Sequence, residues 1–241
     1  MCTVIFNVRR GGFILGMNRD EQLSRAPALP PRIVADGGRK IIRPSEPSGG
    51  TWITVNDAGA AFALINWYAV PVPAPHRAVS RGVVTNAVAA QIGRIGTEEI
   101  LRGLALRRIR PFRLIGFFSA REETCEWRWN GKVLAQVRHP WAMNIWISSG
   151  FDEPGAQRER KTVFAAALRQ KSAGSLDWLR RLHRSHRPAR GPYSICMHRD
   201  DAATVSHTEI IAKSGGVRMS YWGAAPCVGT KASTLEISRS V

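Results

Sequence analysis

The sequence predicts an α+β fold, a four-layer αββα sandwich in which two antiparallel sheets stack and helices cover their outer faces. Three observations predict it. Short β-branched or alternating runs come in pairs joined by turn residues, which is the pattern of hairpins. Two stretches of helical spacing, one beginning near residue 81 and one near residue 157, separate the groups of strands. No linker, repeat or low-complexity tract divides the 241 residues, so one domain spanning 1–241 is expected.

The elements follow in order. TVIFNV (3–8) alternates and is rich in β-branched side chains, so it reads as a strand. Arg9-Arg10-Gly11-Gly12 turns the chain, and FILGM (13–17) returns as the second arm of a hairpin. Asn18 to Ser48 carries Pro27, Pro30, Pro31, Pro44 and Pro47 and is expected to be a long ordered loop. TWITV and AAFALIN form a second hairpin, turned at Asn56-Asp57-Ala58-Gly59, and VPVPAPH (70–76) is a stiff connection. Helical spacing then appears in RGVVTNAVAAQI and in a helix that Thr97 would cap, with Glu98 and Glu99 in its first turn. FRLIGFFSA is a buried strand. TCEWRWNGKVLAQVR is a hairpin turned at Asn130-Gly131, with Cys125, Trp127 and Trp129 on one face. MNIWISS is a further strand, followed by helices over about 157–170 and 175–183. YSICMH, ATVSHTEIIA and GVRMSYW close the domain as strands, and the tail after Gly223, lacking periodicity, is expected to be loosely held.

Composition narrows the function classes. No run approaches the roughly 18 apolar residues of a membrane helix, and the charge of MCTVIFNVRRGG follows its apolar stretch, the reverse of a secretory signal. A cytoplasmic location is expected. Cys2, Cys125, Cys196 and Cys227 lie far apart with no C-x-x-C pair, which argues against a disulfide framework or a zinc cage, so no metal site is expected. The formal charge of +17 favours an anionic ligand or simply solubility. Its one dense cluster, 179–190, lacks the stacking aromatics and motif of a nucleic-acid reader, so nucleic acid is not the expected partner.

Chemistry concentrates at the start of the chain. Removal of Met1 before a small residue leaves Cys2 with a free α-amine, of unperturbed pKa about 7.7–8.0, that can serve as general base for its own thiol. The returning arm ends in Gly16-Met17-Asn18-Arg19-Asp20-Glu21, and antiparallel pairing carries that polar patch back beside Cys2. Asp20 is then placed to orient the ammonium or thiol. Arg19 is placed to stabilise a thiolate, which would make Cys2 the most reactive of the four cysteines, or to bind a carboxylate.

MCTVIF, GMNRDEQLSRA, GGTWITVNDAGAAFALIN and SRG together resemble the NRDE family, named for the motif that stands here as Asn18-Arg19-Asp20-Glu21. The likeness is strong over roughly the first 85 residues and thins to pieces such as Arg158–Lys161. The same opening resembles the choloylglycine and penicillin V acylases, which implies an N-terminal-nucleophile-hydrolase fold. That resemblance implies Cys2 as nucleophile, Asp20 as the group that orients it, Asn18 as the match of the acylases' Asn, and Asn66 as the oxyanion-hole segment. It implies no cofactor. Two positions depart from the acylases: Met17 stands where they carry Arg, with Arg19 able to replace it, and Ser149 stands where they carry an oxyanion-hole Asn. Members of the family are also linked to haem trafficking and to acyl-CoA or lipid handling. The resemblance therefore implies two functions: a Cys2-dependent hydrolase of a C–N amide bond, or a non-catalytic binder of haem, acyl-CoA or a similar amphipathic anion. Arg19, Trp52, Trp67 and Ser149 are the residues expected to meet such a ligand. The sequence does not fix the oligomeric state.

Overall fold

The chain opens on strand β1 (Cys2–Arg9), which turns at Gly11, whose φ of 71° suits glycine, into β2 (Gly12–Gln22). In the computed structural model, which describes residues 2–73 and 75–240, these two arms sit at the centre of a six-stranded antiparallel sheet. Met1, on which the expected freeing of the Cys2 amine depends, lies outside the described residues. The other strands of that sheet are β10 (Asn144–Ser148), β11 (Ala202–Lys213), β12 (Gly216–Trp222) and β13 (Ser233–Ser238), in the order β10-β1-β2-β11-β12-β13. The second sheet runs in sequence order through β3 (Leu29–Asp36), β4 (Arg39–Ser45), β5 (Ile53–Asn56), β6 (Ala60–Asn66), β7 (Phe112–Phe118), β8 (Glu123–Trp129) and β9 (Leu134–His139). Helices α1 (Gly82–Val88) and α2 (Arg94–Gly103) precede β7, while α3 (Glu153–Leu168) and α4 (Leu176–His183) precede β11.

The expected αββα sandwich is what the chain forms. Alternation along each strand sends one set of side chains between the sheets and the other toward helices. Along β1, Cys2, Val4 and Phe6 face the second sheet, where they pack with Val55, Ala63 and Phe117, whereas Ile5 packs outward with Phe164 and Leu179 of α3 and α4. The rings of Phe6 and Phe117 stack across the interface with centroids 4.8 Å apart. On the far side Leu64, Leu114 and Trp127 meet Val84 and Val88 of α1 and Leu101 of α2. Among the described residues, no helix is long and apolar enough to cross a membrane.

Four local expectations are corrected. Residues 18–48 are not a loop: β2 runs on to Gln22, and β3 and β4 form a hairpin whose turn uses Gly37 and Gly38 at φ of 53° and 75°. The prolines hid it, but β3 is a sheet edge, where a missing N–H donor costs no ladder bond. Thr97 lies inside α2 rather than capping it; its hydroxyl donates to Gly93 O at 2.8 Å, and Gly93 is the cap. The stretch 193–198 is no strand; it meets the sheet through a bridge from His198 to Ala203 and through hydrogen bonds between Met197 and Thr204. The tail after Gly223 includes β13, which is paired along β12.

A close approach fixes α4 over β2. A Cβ added at Gly16 would lie 2.7 Å from Cδ2 of the His183 ring and 3.2 Å from Leu179 Cδ2. Gly16→Ala is expected to destabilise the protein by about 1–3 kcal/mol, the usual cost of overpacking, as a lowered midpoint in urea denaturation.

Candidate functional site

Register places the chemistry. Cys2 stands opposite Arg19 of β2 on one side and Ser148 of β10 on the other, so it heads a strand paired on both edges. Its side chain is 7% exposed and forms part of the floor of a cavity of about 280 Å³ lined also by Arg19, Trp52, Asn66, Arg81 and Arg110. Arg19 points into this cavity from the face it shares with Cys2. Its guanidinium lies 4.5 Å from the centroid of the Trp52 ring and donates to Glu46 at 2.8 Å and Glu21 at 3.2 Å. Arg25 closes the group by pairing with the same two carboxylates. Arg19 is thus held by protein carboxylates and an aromatic face, which fixes its position and uses most of its charge.

Asn18 and Asp20, one residue to either side, send their side chains to the opposite face of the sheet. The Asp20 carboxylate accepts from Arg160 of α3 at 3.3 Å and from the Thr204 hydroxyl of β11 at 2.7 Å. The side chains of Asp20 and Arg160 are wholly buried. Arg160 also donates to the Thr3 hydroxyl at 2.7 Å and to Pro192 O. Asn18 donates through Nδ2 to the carbonyls of His183 and Ile195, both at 2.9 Å, which fixes its Oδ1 as the acceptor facing Nδ1 of His183 and of His207 at 3.0 and 2.8 Å. Each imidazole therefore donates to Asn18 from Nδ1, and His207 also turns its Nε2 to the Glu209 carboxylate at 3.3 Å. Burial, and secondarily His207, pushes the pKa of His183 well below its ordinary 6.5.

The structure thus divides the expected residues. Cys2, Arg19, Trp52 and Asn66 meet at the cavity. Asn18 lies behind the sheet, and Asp20, although it borders the cavity, has its carboxylate in the buried pairing with Arg160. Asn66 Nδ2 donates to the Tyr68 hydroxyl at 2.6 Å. Trp67 is not among the lining residues. Of the adjacent serines it is Ser148 whose Oγ accepts from the Cys2 backbone nitrogen, at 3.1 Å; Ser149 Oγ accepts from Phe151 N–H and is likewise off the cavity. Met17 is buried between the sheets.

Two residues carry charge that the sequence did not reveal. Arg81, in the Ser80-Arg81-Gly82 stretch, and Arg110 line the cavity, and no carboxylate among the described residues lies within ion-pair distance of either. Burial and then Arg110 lower the pKa of Arg81. An anionic ligand group would relieve both effects. The Cys2 thiol shifts in the opposite sense to the one expected. Burial pushes its pKa up and the Asp20 carboxylate adds to that, while the charge of the N-terminus, Arg19 and the Asp20 backbone N–H only partly oppose them. The resting group is a thiol, not a poised thiolate.

Two face-packed antiparallel sheets with a cysteine heading a central strand define an N-terminal-nucleophile-hydrolase type of fold. The structure of a mutant conjugated bile acid hydrolase from Clostridium perfringens matches 98% of this chain and 92% of its own, with a TM-score of 0.60 at 9% identity. Penicillin V acylase from Agrobacterium tumefaciens matches 99% of this chain and 86% of its own, with a TM-score of 0.54 at 11% identity. Identities this low speak to the fold alone. The chain belongs to the family described as Transport and Golgi organisation 2, whose profile matches residues 1–191. No curated protein matches it in sequence.

Arg160→Leu leaves Asp20 buried without its cation and is expected to cost about 3–5 kcal/mol in denaturant unfolding. His183 gives a pH signature. Its folded pKa is depressed, so unfolding takes up a proton, and the stability it contributes is complete above pH 6.5 and is lost as pH falls below that value. The loss is at most about 1.4 kcal/mol per pH unit, and its slope between pH 6.5 and about 5 should flatten in His183→Asn, which keeps a donor toward Asn18.

Proposed function

We propose that this protein is a cytosolic cysteine amidohydrolase that cleaves the C–N bond of an acyl amide bearing an anionic group, with Cys2 as nucleophile once Met1 is removed. The observation that carries the reading is the position of Cys2: its sulfur borders a polar cavity while its backbone nitrogen, the atom that becomes the α-amine, is held 3.1 Å from Ser148 Oγ.

The raised thiol pKa agrees with such a mechanism, because the proton must leave during attack and the neighbouring amine can take it. The sulfur then bonds to the acyl carbon, and the carbonyl oxygen becomes an oxyanion that the Asn66 segment is placed to meet across the cavity. The protonated amine delivers its proton to the leaving nitrogen as the C–N bond breaks. Water, deprotonated by the same amine, attacks the thioester, releasing the carboxylic acid and restoring the thiol. Arg81 and Arg110 supply the attraction for an anionic substituent, and Trp52 the apolar wall. Asp20 acts from behind through its backbone N–H, and Asn18 holds β2 in place.

The second reading, a non-catalytic binder of haem, acyl-CoA or a similar amphipathic anion, draws on the raised thiol pKa and on Met17 standing at the acylase Arg position. Against it stands the size of the cavity. At about 280 Å³ it falls just below the roughly 300–1,000 Å³ typical of sites that enclose drug-sized ligands.

The test begins with intact mass, where loss of Met1 is expected. N-acyl amides carrying a carboxylate are then screened against the wild type, Cys2→Ala and Arg81→Met, beside titrations with haem and a long-chain acyl-CoA. Turnover should vanish in Cys2→Ala. In Arg81→Met, KM should rise about 10–100-fold, as expected for losing a charge-assisted hydrogen bond of about 1.5–3 kcal/mol. Tight haem or acyl-CoA binding that ignores Cys2→Ala, with no turnover of any amide, would sink the hydrolase in favour of the carrier.

A further inference from the structure

On the helix side of the first sheet, away from the Cys2 cavity, four side chains from two loops converge. His186 follows α4, Cys196 and His198 lie on the extended run 196–198, and Cys227 lies in the loop after β12. In an extended run, positions i and i+2 point the same way, so Cys196 and His198 share a face while the intervening Met197 is buried on the other. All four ligand atoms lie within 4.8 Å of one another.

The convergence is centred on one atom. Nε2 of His198 lies 3.2 Å from Nε2 of His186, 3.6 Å from Cys196 Sγ and 3.6 Å from Cys227 Sγ. A ring nitrogen has one in-plane lone pair or one N–H, so it cannot hydrogen-bond three partners at once. Nor is this a disulfide, since both cysteines are free thiols. The spacings have another explanation. A tetrahedral zinc with Zn–S of about 2.3 Å and Zn–N of about 2.0–2.1 Å sets ligands about 3.3 Å apart for N···N and about 3.6 Å apart for N···S. The observed separations match those edges.

We propose that His186, Cys196, His198 and Cys227 form a Cys2His2 site that binds a zinc ion. Two thiolates and two neutral imidazoles suit zinc's borderline-soft character, and four protein ligands close the coordination sphere, as in structural rather than catalytic sites. Metal on Nε2 requires the proton on Nδ1 of His198. The exposed Arg190 guanidinium, now 3.4 Å from that nitrogen, turns outward in the loaded form. Three of the four ligands lie beyond residue 191, outside the segment that the family profile matches.

The site has a mechanical consequence. It ties the loop between β12 and β13 to the segment after α4. It is also linked to Asp20, because Met197 N–H donates to Thr204 Oγ1 at 2.8 Å and that hydroxyl donates to Asp20 at 2.7 Å.

The experiment uses the full chain purified under reducing, anaerobic conditions. Elemental analysis should find zinc equimolar with protein. After removal by a chelator, titrated Co(II) should give the intense visible bands of tetrahedral cobalt together with a thiolate-to-metal charge-transfer band, both abolished by added zinc. Cys227→Ser, at an exposed loop position that spares the core, should lose the charge-transfer intensity and weaken binding at least tenfold; Cys196→Ser with Cys227→Ser should abolish it. Adding zinc should raise the melting temperature of the wild type but not of the double variant. The proposal is overturned if the reduced apo chain takes up neither cobalt nor zinc. Cobalt spectra unchanged by Cys227→Ser, or a Cys196–Cys227 disulfide recovered in place of metal, would overturn it equally.

Discussion

The structure turns on an ion pair with no access to water. Asp20 and Arg160 are both fully buried, and a charge in that position is tolerated only when its partner and its remaining hydrogen bonds are in place. Thr3 and Pro192 accept from the guanidinium, whose buried Nε is left without a hydrogen-bond partner, while the Thr204 hydroxyl donates to the carboxylate. The pair therefore joins β1, β2, β11 and α3 at one point. A hydrophobic pair could stabilise these elements as well, but it would not fix their register. The charged pair tolerates no slip, because a shift of one residue would send Asp20 into the cavity and leave Arg160 buried alone.

That constraint separates two faces of β2. Arg19 looks into the cavity and is held by Trp52, Glu46 and Glu21, while Asn18 and Asp20 look into the helix layer and are held by His183, His207 and Arg160. A four-residue motif thus acts as a rivet through the sheet. Its alternate members have different work: Arg19 shapes the polar floor beside Cys2, and its neighbours fasten the strand from behind. Asn18 is saturated by two carbonyls and two imidazoles, which leaves it no capacity to touch a ligand and accounts for why only an amide, with two donors and an accepting oxygen, serves there.

Much of this was legible in the sequence, and the failures have physical reasons. The hairpins announced themselves through alternation and through turn glycines such as Gly11, Gly59 and Gly131, all at positive φ. The pairing of Cys2 with the NRDE segment followed from hairpin geometry alone. The β3–β4 hairpin was missed because its prolines outweighed the Asp36-Gly37-Gly38 turn signal, a weighting that fails at a sheet edge. Alternation predicted that Arg19 and Asp20 could not both face Cys2, but adjacency in sequence drew them into one role. Arg160, Arg81 and Arg110 were invisible because their importance lies in tertiary placement: one arginine sealed against a carboxylate and two left without one. The same holds for His186, Cys196, His198 and Cys227, whose only local signal is the i, i+2 spacing of Cys196 and His198.

The raised pKa of Cys2 and the division of β2 bear on the same question. A resting thiolate would need cations beside it free to stabilise it, and Arg19, paired with Cys2 across the hairpin, is committed to two carboxylates. The site instead surrounds a neutral thiol with low-dielectric packing. In the hydrolysis proposed above, transfer of its proton to the freed Cys2 amine would avoid holding a buried anion before substrate arrives. Arg81 and Arg110 line the same cavity, and no carboxylate among the described residues lies within ion-pair distance of either. A formal charge of +17 thus does not lower the pKa of this thiol, because burial outweighs the positive charge around it.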